Sequence, residues 1–288
     1  MTAGALLVLA ATGCAADRPP VLSPDTFDAG ISPADAPVDV PRDLPRVVDA
    51  RPPVDGPPPP PPRGDVHVVI TADNAYGFGY GGSASMMNYF GGVENTSAAA
   101  IFECPVGNGP ERYVVPSAEA PTGAFLYIVT WSDMAVTQGV IAQFRREGEG
   151  AAVYTGDPRF EVCATGVPFD LGSRGPSLEV INEQIARCNA RSGDPATTSA
   201  GWVTAVGTDA GALAIGEDNT TDRAAPAPGN EFPVACGIDP QARWMWFNWS
   251  PATLRWPTDG SPFLYPAPSG NPTKQFLIFR LGTEYIPS

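Results

Sequence analysis

The chain has 288 residues, including 34 prolines, 31 glycines and one histidine, and its 31 acidic against 17 basic side chains give a net charge of −14. That balance repels nucleic-acid phosphates, and no local basic stripe reverses it, so the sequence reads as having no nucleic-acid partner. A single histidine excludes a two-histidine metal site, and a single lysine, Lys274, leaves little room for Schiff-base chemistry.

In chain order, residues 3–11 form a short apolar run (AGALLVLAA) followed by Thr12, Gly13 and Cys14. At ~1.5 Å per residue the uncharged stretch 1–13 would reach roughly 20 Å as a helix, against an apolar bilayer core of about 30 Å. It is too short to span and fits the apolar core of a signal peptide. The segment Leu9-Ala10-Ala11-Thr12-Gly13-Cys14 resembles a bacterial lipoprotein signal. That resemblance implies cleavage after residue 13, lipidation of Cys14 and attachment to the membrane through that lipid. Ala15 after the cysteine implies sorting to the outer membrane or cell surface.

Residues 15–64 hold 15 of the prolines, eight aspartates and one aromatic, Phe27. Their apolar residues are small and follow neither a period of 2 nor one of 3.6, so little burial is available to offset the entropy of ordering. The six prolines 57–62 favour extended polyproline II. Residues 14–64 therefore read as a disordered, semi-rigid tether.

Residues 65–288 hold the other 26 aromatics, four of the five cysteines, and 12 bases against 23 acids. Val66, Val68 and Ile70 alternate with His67, Val69 and Thr71, which predicts a strand. Residues 124–131 (AFLYIVTW) are apolar on both faces, which predicts a central strand covered on each side. Further strands are expected at 98–103, 112–115, 139–144, 160–164, 201–206, 231–236, 242–248 and 275–281. One helix stands out: Leu178, Ile181, Ile185 and Cys188 share a face, Pro176 suits the first turn, Glu183 and Arg187 pair at i, i+4, and Gly193 is a stop signal. Many short strands with one amphipathic helix predict a mostly β, antiparallel sandwich of the jelly-roll type.

The cysteines at 104, 163, 188 and 236 allow three pairings. Cys163–Cys188, joining a strand to the helix, and Cys104–Cys236 are favoured.

Gly77-Phe78-Gly79-Tyr80-Gly81-Gly82 matches a dinucleotide fingerprint literally. No amphipathic helix follows it, so a glycine-rich β-turn or bulge is the better reading. The stretch Thr71-Ala72-Asp73-Asn74-Ala75-Tyr76 resembles the TADN-x-Y strand-turn-strand of galactose-binding-like β-sandwiches in bacterial extracellular proteins. Residues 139–144 (GVIAQF) and 155–166 (TGDPRFEVCATG) are loosely similar to later strands of that group. The resemblance implies a fold more than an activity, and Asp73 and Asn74 join the candidate ligand-binding residues.

Trp244, Trp246 and Trp249, with Met245 and Phe247, form the densest aromatic cluster. On a strand Trp244 and Trp246 share one face, and that face serves either as core or, with Trp256 and Tyr265 of the Pro-rich segment 250–273, as a platform for sugar rings. Glu217 to Asp222 concentrates oxygen donors, so Asp218, Asn219 and Asp222 are candidates for a Ca2+ site, with a solvated turn as the alternative. No catalytic residue is selected, and enzymatic activity is disfavoured. The leading expectation is a cell-surface lipoprotein with an extracellular ligand-binding module for a glycan or a surface protein. The alternatives are an assembly subunit of a surface layer, appendage or fibre, and a secreted glycoside or ester hydrolase.

Overall fold

The structure, a computed structural model, describes residues 63–95, 97–104, 109–131, 139–148, 150–192, 200–208, 211–220, 234–248 and 275–288. Eleven strands among them form two antiparallel sheets packed as a sandwich. They are β1 (Val66–Asp73), β2 (Ala75–Gly81), β3 (Met86–Glu94), β4 (Glu111–Val115), β5 (Phe125–Trp131), β6 (Gly139–Arg146), β7 (Val153–Tyr154), β8 (Glu161–Pro168), β9 (Ala212–Asp218), β10 (Arg243–Asn248) and β11 (Gln275–Gly282). One sheet runs β4-β1-β6-β10-β9 with β7 beside β6, and the other runs β3-β2-β5-β11-β8. The chain switches sheets repeatedly, between β1 and β2, β3 and β4, and β5 and β6, which gives the fold its jelly-roll character.

Period-2 alternation distributes the apolar side chains over three layers. Val68 and Ile70 of β1, Ile128 of β5, Phe144 of β6, Met245 and Phe247 of β10 and Phe279 of β11 fill the space between the sheets. Trp244 and Trp246 of β10, with Ile141 of β6, turn outward and pack with Ile101, Phe102, Ala235 and Ile238. On the other outer face, Val129 and Trp131 of β5 and Ile278 of β11 pack against Ile181 and Ile185 of the helix α2 (Leu178–Ala190). β5 is thus paired and covered on every side, as its doubly apolar sequence predicts.

The sequence-based elements hold at β1, β4, β5, β6, β8, β10, β11 and α2, and fail at three places. Residues 98–103 are not a strand: Ala98–Phe102 forms a short helix, α1, whose Ala100 N–H donates to Ser97 Oγ at 3.3 Å. A five-residue apolar run carries no decisive period, and its three alanines favour the helix. Within 201–206 only Val203 pairs, as a single bridge to Val162, and the strand lies later, at β9. Its sequence ALAIGED is poor in β-branched and aromatic residues, so it has no strand signal. Of 231–236, residues 231–233 lie outside the described residues, and 234–236 lead into turns rather than a strand. The helix limits also shift slightly. Ser177 is the N-cap, accepting from Val180 N–H, so Pro176 lies just before the helix. Arg191 at φ 51° ends it, two residues before Gly193.

The glycine-rich stretch read as a turn or bulge is most of β2, whose pairing with β3 is bulged. Tyr76, Phe78 and Tyr80 point inward, and Gly77 and Gly79 face the other way. A Cβ on Gly77 would collide with the Tyr89 ring, and one on Gly79 with Met86 and the Asn88 carbonyl. Glycine therefore lets β3 lie close on β2, and no phosphate-binding turn is formed.

Both favoured disulfides are present. Cys163–Cys188 ties β8 to α2, and Cys104–Cys236 ties the end of α1 to the segment that covers Trp244 and Trp246. The domain is closed by Arg146, fully buried at the end of β6. Its guanidinium donates to the carbonyls of Gly64 (3.1 Å), Ala120 (2.9 Å), Thr283 (3.2 Å) and Ile286 (3.2 Å).

Candidate functional site

β3 and β4 are edge strands of opposite sheets, and both are reached directly from β1 and β2. They flank one open side of the sandwich, where the inward row of β2 meets the inward row of β4. Register places Glu111 opposite Ile70 and Tyr113 opposite Val68, so these two side chains face inward and Arg112 and Val114 face outward. The Tyr76 phenol donates to Glu111 Oε2 at 2.5 Å, and its oxygen lies 3.0 Å from the Tyr113 phenol.

Aromatic rings continue this row. Phe90 comes from the irregular part of β3, where pairing with β2 shifts between Gly77 and Gly79. The shift brings its ring parallel to Phe78, at 6° and 5.8 Å, with Tyr113 at 5.0 Å and Tyr80 at 6.0 Å. Phe90 remains 50% exposed although three rings surround it. Beyond Tyr80 the edge continues into a recess of about 270 Å³ lined by Gly81, Met87, Ala118, Glu119 and Pro121. That volume is below the ~300–1,000 Å³ of whole-ligand pockets and has the scale of a subsite.

The electrostatics follow from burial. Desolvation raises the Glu111 carboxyl pKa, opposed by the hydrogen bond from Tyr76. Desolvation also raises the Tyr113 phenol, and it lifts Tyr76 well above the ordinary phenol range, reinforced by Tyr113 and Glu111. The phenols are therefore neutral hydrogen-bonding groups beside a carboxylate. Together the edge offers an exposed ring face, a carboxylate and a phenol held in fixed geometry.

The residues singled out from sequence that the structure describes are placed elsewhere. Trp244 and Trp246 share one face, but that face is core: both are buried under α1 and residues 235–242, and Phe102 meets Trp244 edge-on at 5.9 Å. They form no platform, because the outer face of their sheet is covered. Asn219 is not available as a calcium ligand. Its amide donates to the carbonyls of Ala235 and Ile238, and its Oδ1 accepts from Ala235 N–H at 2.8 Å. Asp218 at the end of β9 accepts from the Thr220 hydroxyl at 2.6 Å. Among the described residues no group of three or more His, Cys, Asp or Glu is arranged to hold a metal. Asp73 and Asn74 form the crossing from one sheet to the other, with Asp73 buried and the Asn74 carbonyl accepting from Asn95 N–H at 2.7 Å. Cys14, Asp222, Trp249, Trp256 and Tyr265 lie outside the described residues.

The β3–β4 edge was legible only in part. Tyr76, Phe78 and Tyr80 alternate with glycine, and Glu111 and Tyr113 are two apart, both signals of a shared strand face. Phe90 carries no such signal, since Gly91 and Gly92 follow it and the bulge that orients it arises from pairing.

No protein-family model matches the chain, and neither characterised proteins nor solved structures give a match to it.

Proposed function

We propose that the chain is an exported protein held at a cell surface through lipidated Cys14, and that residues 65–288 act as a carbohydrate-binding module whose contact surface is the β3–β4 edge. The observation that carries this reading is Phe90. A half-exposed ring locked by Phe78, Tyr80 and Tyr113 offers a rigid apolar face at little entropic cost, and sugar C–H faces stack on such rings. Glu111 and Tyr113 beside it supply the hydrogen bonds that orient hydroxyl groups. Two disulfides agree with an oxidising compartment, and among the described residues no helix is long and apolar enough to cross a membrane.

The test is a glycan array followed by calorimetry on the full chain. Binding is expected to fall at least tenfold in Phe90→Ala with the thermal midpoint little changed. Binding untouched by Phe90→Ala, or none at all, contradicts the module. Fatty-acid labelling of the expressed chain, lost in Cys14→Ser, tests the anchor. A second reading, an assembly subunit, is favoured by exposed Met87 and Val114 on these two edge strands. Concentration-dependent oligomers abolished by Val114→Lys would support that reading instead.

A further inference from the structure

We infer that the ligand of the β3–β4 edge is an amine-bearing saccharide, a short chain of unacetylated hexosamine units; this rests on the carbohydrate-binding reading above.

Among the described residues, the ionisable side chains set along this edge are of the acid type. Glu111 stands at one end, exposed Glu119 at the recess, and Tyr76, Tyr80 and Tyr113 lie between them. Glu119 is near enough to Tyr80 to act on its phenol, which joins the recess to the ring row electrostatically. Two cations beside the edge, Arg112 and Arg146, are turned away from it. Arg112 sits between Glu111 and Tyr113 but faces outward, its Nη2 3.1 Å from where a Cβ on Gly237 would lie. Arg146 reaches the recess loop through the Ala120 carbonyl, but it is fully buried and its donors are spent on four backbone carbonyls.

The rings a ligand can touch are Phe90 and half-buried Tyr113, since Tyr76, Phe78 and Tyr80 are buried, and a carboxylate on either side of them suits ammonium groups spaced along a chain of sugar rings. Cations are also attracted to aromatic faces, here Phe90. Glu111 is hydrogen-bonded to Tyr76 and Glu119 lies by Tyr80, and β2 rises about 13 Å between these two buried tyrosines at ~3.3 Å per residue, so the two carboxylates are spaced for a short oligosaccharide rather than one ring. A uronic or sulfated chain would meet Glu111 and Glu119 with like charge, and the net charge of −14 would steer it away. An ammonium beside Glu111 also offsets the burial that raises its carboxyl pKa.

The experiment compares fully deacetylated chito-oligosaccharide, its N-acetylated counterpart of equal length, and oligogalacturonate, by calorimetry on the full chain at low salt with the amines protonated. The deacetylated chain is expected to bind at least about fivefold tighter than the acetylated one, and the galacturonate not at all. Glu119→Gln combined with Glu111→Gln is expected to bring the two chito-oligosaccharides within about twofold, while Glu179→Gln on the exposed face of α2 changes nothing. Equal binding of both forms, lost in Phe90→Ala, overturns the amine preference and leaves the carbohydrate module standing. A preference that survives both Glu→Gln changes overturns its assignment to Glu111 and Glu119, because the attraction then comes from the general acidity of the surface. No binding of any of the three overturns the preference, and a blank glycan array with it overturns the module as well.

Discussion

The Tyr76 phenol reaches across the open side of the sandwich and donates a 2.5 Å hydrogen bond to Glu111 Oε2, joining an inner strand of one sheet to an edge strand of the other. Tyr113 closes the group at 3.0 Å from the same phenol. A carboxylate in this position is both a fastening of the edge and a desolvated charge.

Its pH dependence has a definite sign. Desolvation raises the folded-state pKa of Glu111 above its unfolded value, so the protonated form is the one folding favours. The stability it contributes is complete below the ordinary carboxyl pKa of about 4.3 and is lost as pH rises through the folded value. Glu111→Gln keeps an acceptor for Tyr76 and never ionises. Its thermal midpoint relative to the parent is expected to climb as pH rises from about 4 and then level off. Thermal unfolding at stepped pH reads this, and a constant difference across the range would contradict it.

Phe78 and Phe90 stack on one another but differ in what their loss should do. Phe78 is fully buried, so Phe78→Ala is expected to cost about 3–5 kcal/mol. Phe90 is 50% exposed and loses chiefly its ring contacts, about 0.5–1.5 kcal/mol. Urea titration of the two variants measures the contrast. Similar losses would mean that Phe90 is a core residue and not a presented surface.

The sandwich was legible because burial of one face of a strand leaves a period-2 trace, as in Val66–Ile70, and burial of both faces a nearly unbroken apolar run, as in 125–131. The helix was legible because Leu178, Ile181, Ile185 and Cys188 keep helical spacing, and that spacing also turned Cys188 toward the sheet. What could not be read was which aromatic side chain the fold leaves exposed. Trp244 and Trp246 alternate as correctly as Tyr76, Phe78 and Tyr80, and both rows are buried, the first under α1 and residues 235–242 and the second between the sheets, while Phe90 beside the second stays 50% exposed. Coverage is a tertiary property, and neither composition nor period encodes it. The same holds for Asn219, whose oxygen-rich neighbourhood signals a cation while its amide is occupied by backbone groups 16 and 19 residues away.

The two disulfides enclose very different loops, with sequence separations of 25 for Cys163–Cys188 and 132 for Cys104–Cys236. On the chain-entropy account, opening the longer loop costs about 1.5 kcal/mol more than opening the shorter. Paired Cys→Ser variants compared by denaturant unfolding are expected to rank in that order. The reverse order would show that the link between β8 and α2 matters more through native packing than through the unfolded chain.

Arg280 of β11 lies 3.8 Å from the centre of the Trp202 ring and 4.7 Å from that of Phe125, and its Nε donates to Glu161 at 2.7 Å. Trp202 Nε1 in turn donates to Asn189 Oδ1 on α2 at 2.7 Å, so the stack fastens the helix to its sheet. Lysine keeps the charge but loses the planar face and the Nε donor. Arg280→Lys is therefore expected to destabilise by about 1–2 kcal/mol, with α2 amides gaining hydrogen exchange before those of β5. Equal exchange in both would mean that the stack does not hold the helix.

Arg146 makes the sharpest stability prediction, because its four acceptors come from separate parts of the chain. Gly64 lies just before β1, Ala120 in the loop after β4, and Thr283 and Ile286 after β11. Burial and the neighbouring Arg63 lower its pKa, but a guanidinium stays protonated at any pH the protein meets. Its charge is met by carbonyl dipoles instead of a carboxylate. Arg146→Met removes the donors and strands the carbonyls, at an expected cost of about 3–5 kcal/mol, since several buried carbonyls lose a charged donor at about 1–3 kcal/mol each. Arg146→Lys restores the charge with three donors on a single nitrogen, which cannot reach four acceptors fanned around a planar fork, so only partial rescue is expected. In both variants hydrogen exchange should accelerate first at residues 117–124 and 283–288, ahead of the central strands. Uniform acceleration across the sheets would instead make Arg146 an ordinary core residue, without a special part in closing the domain.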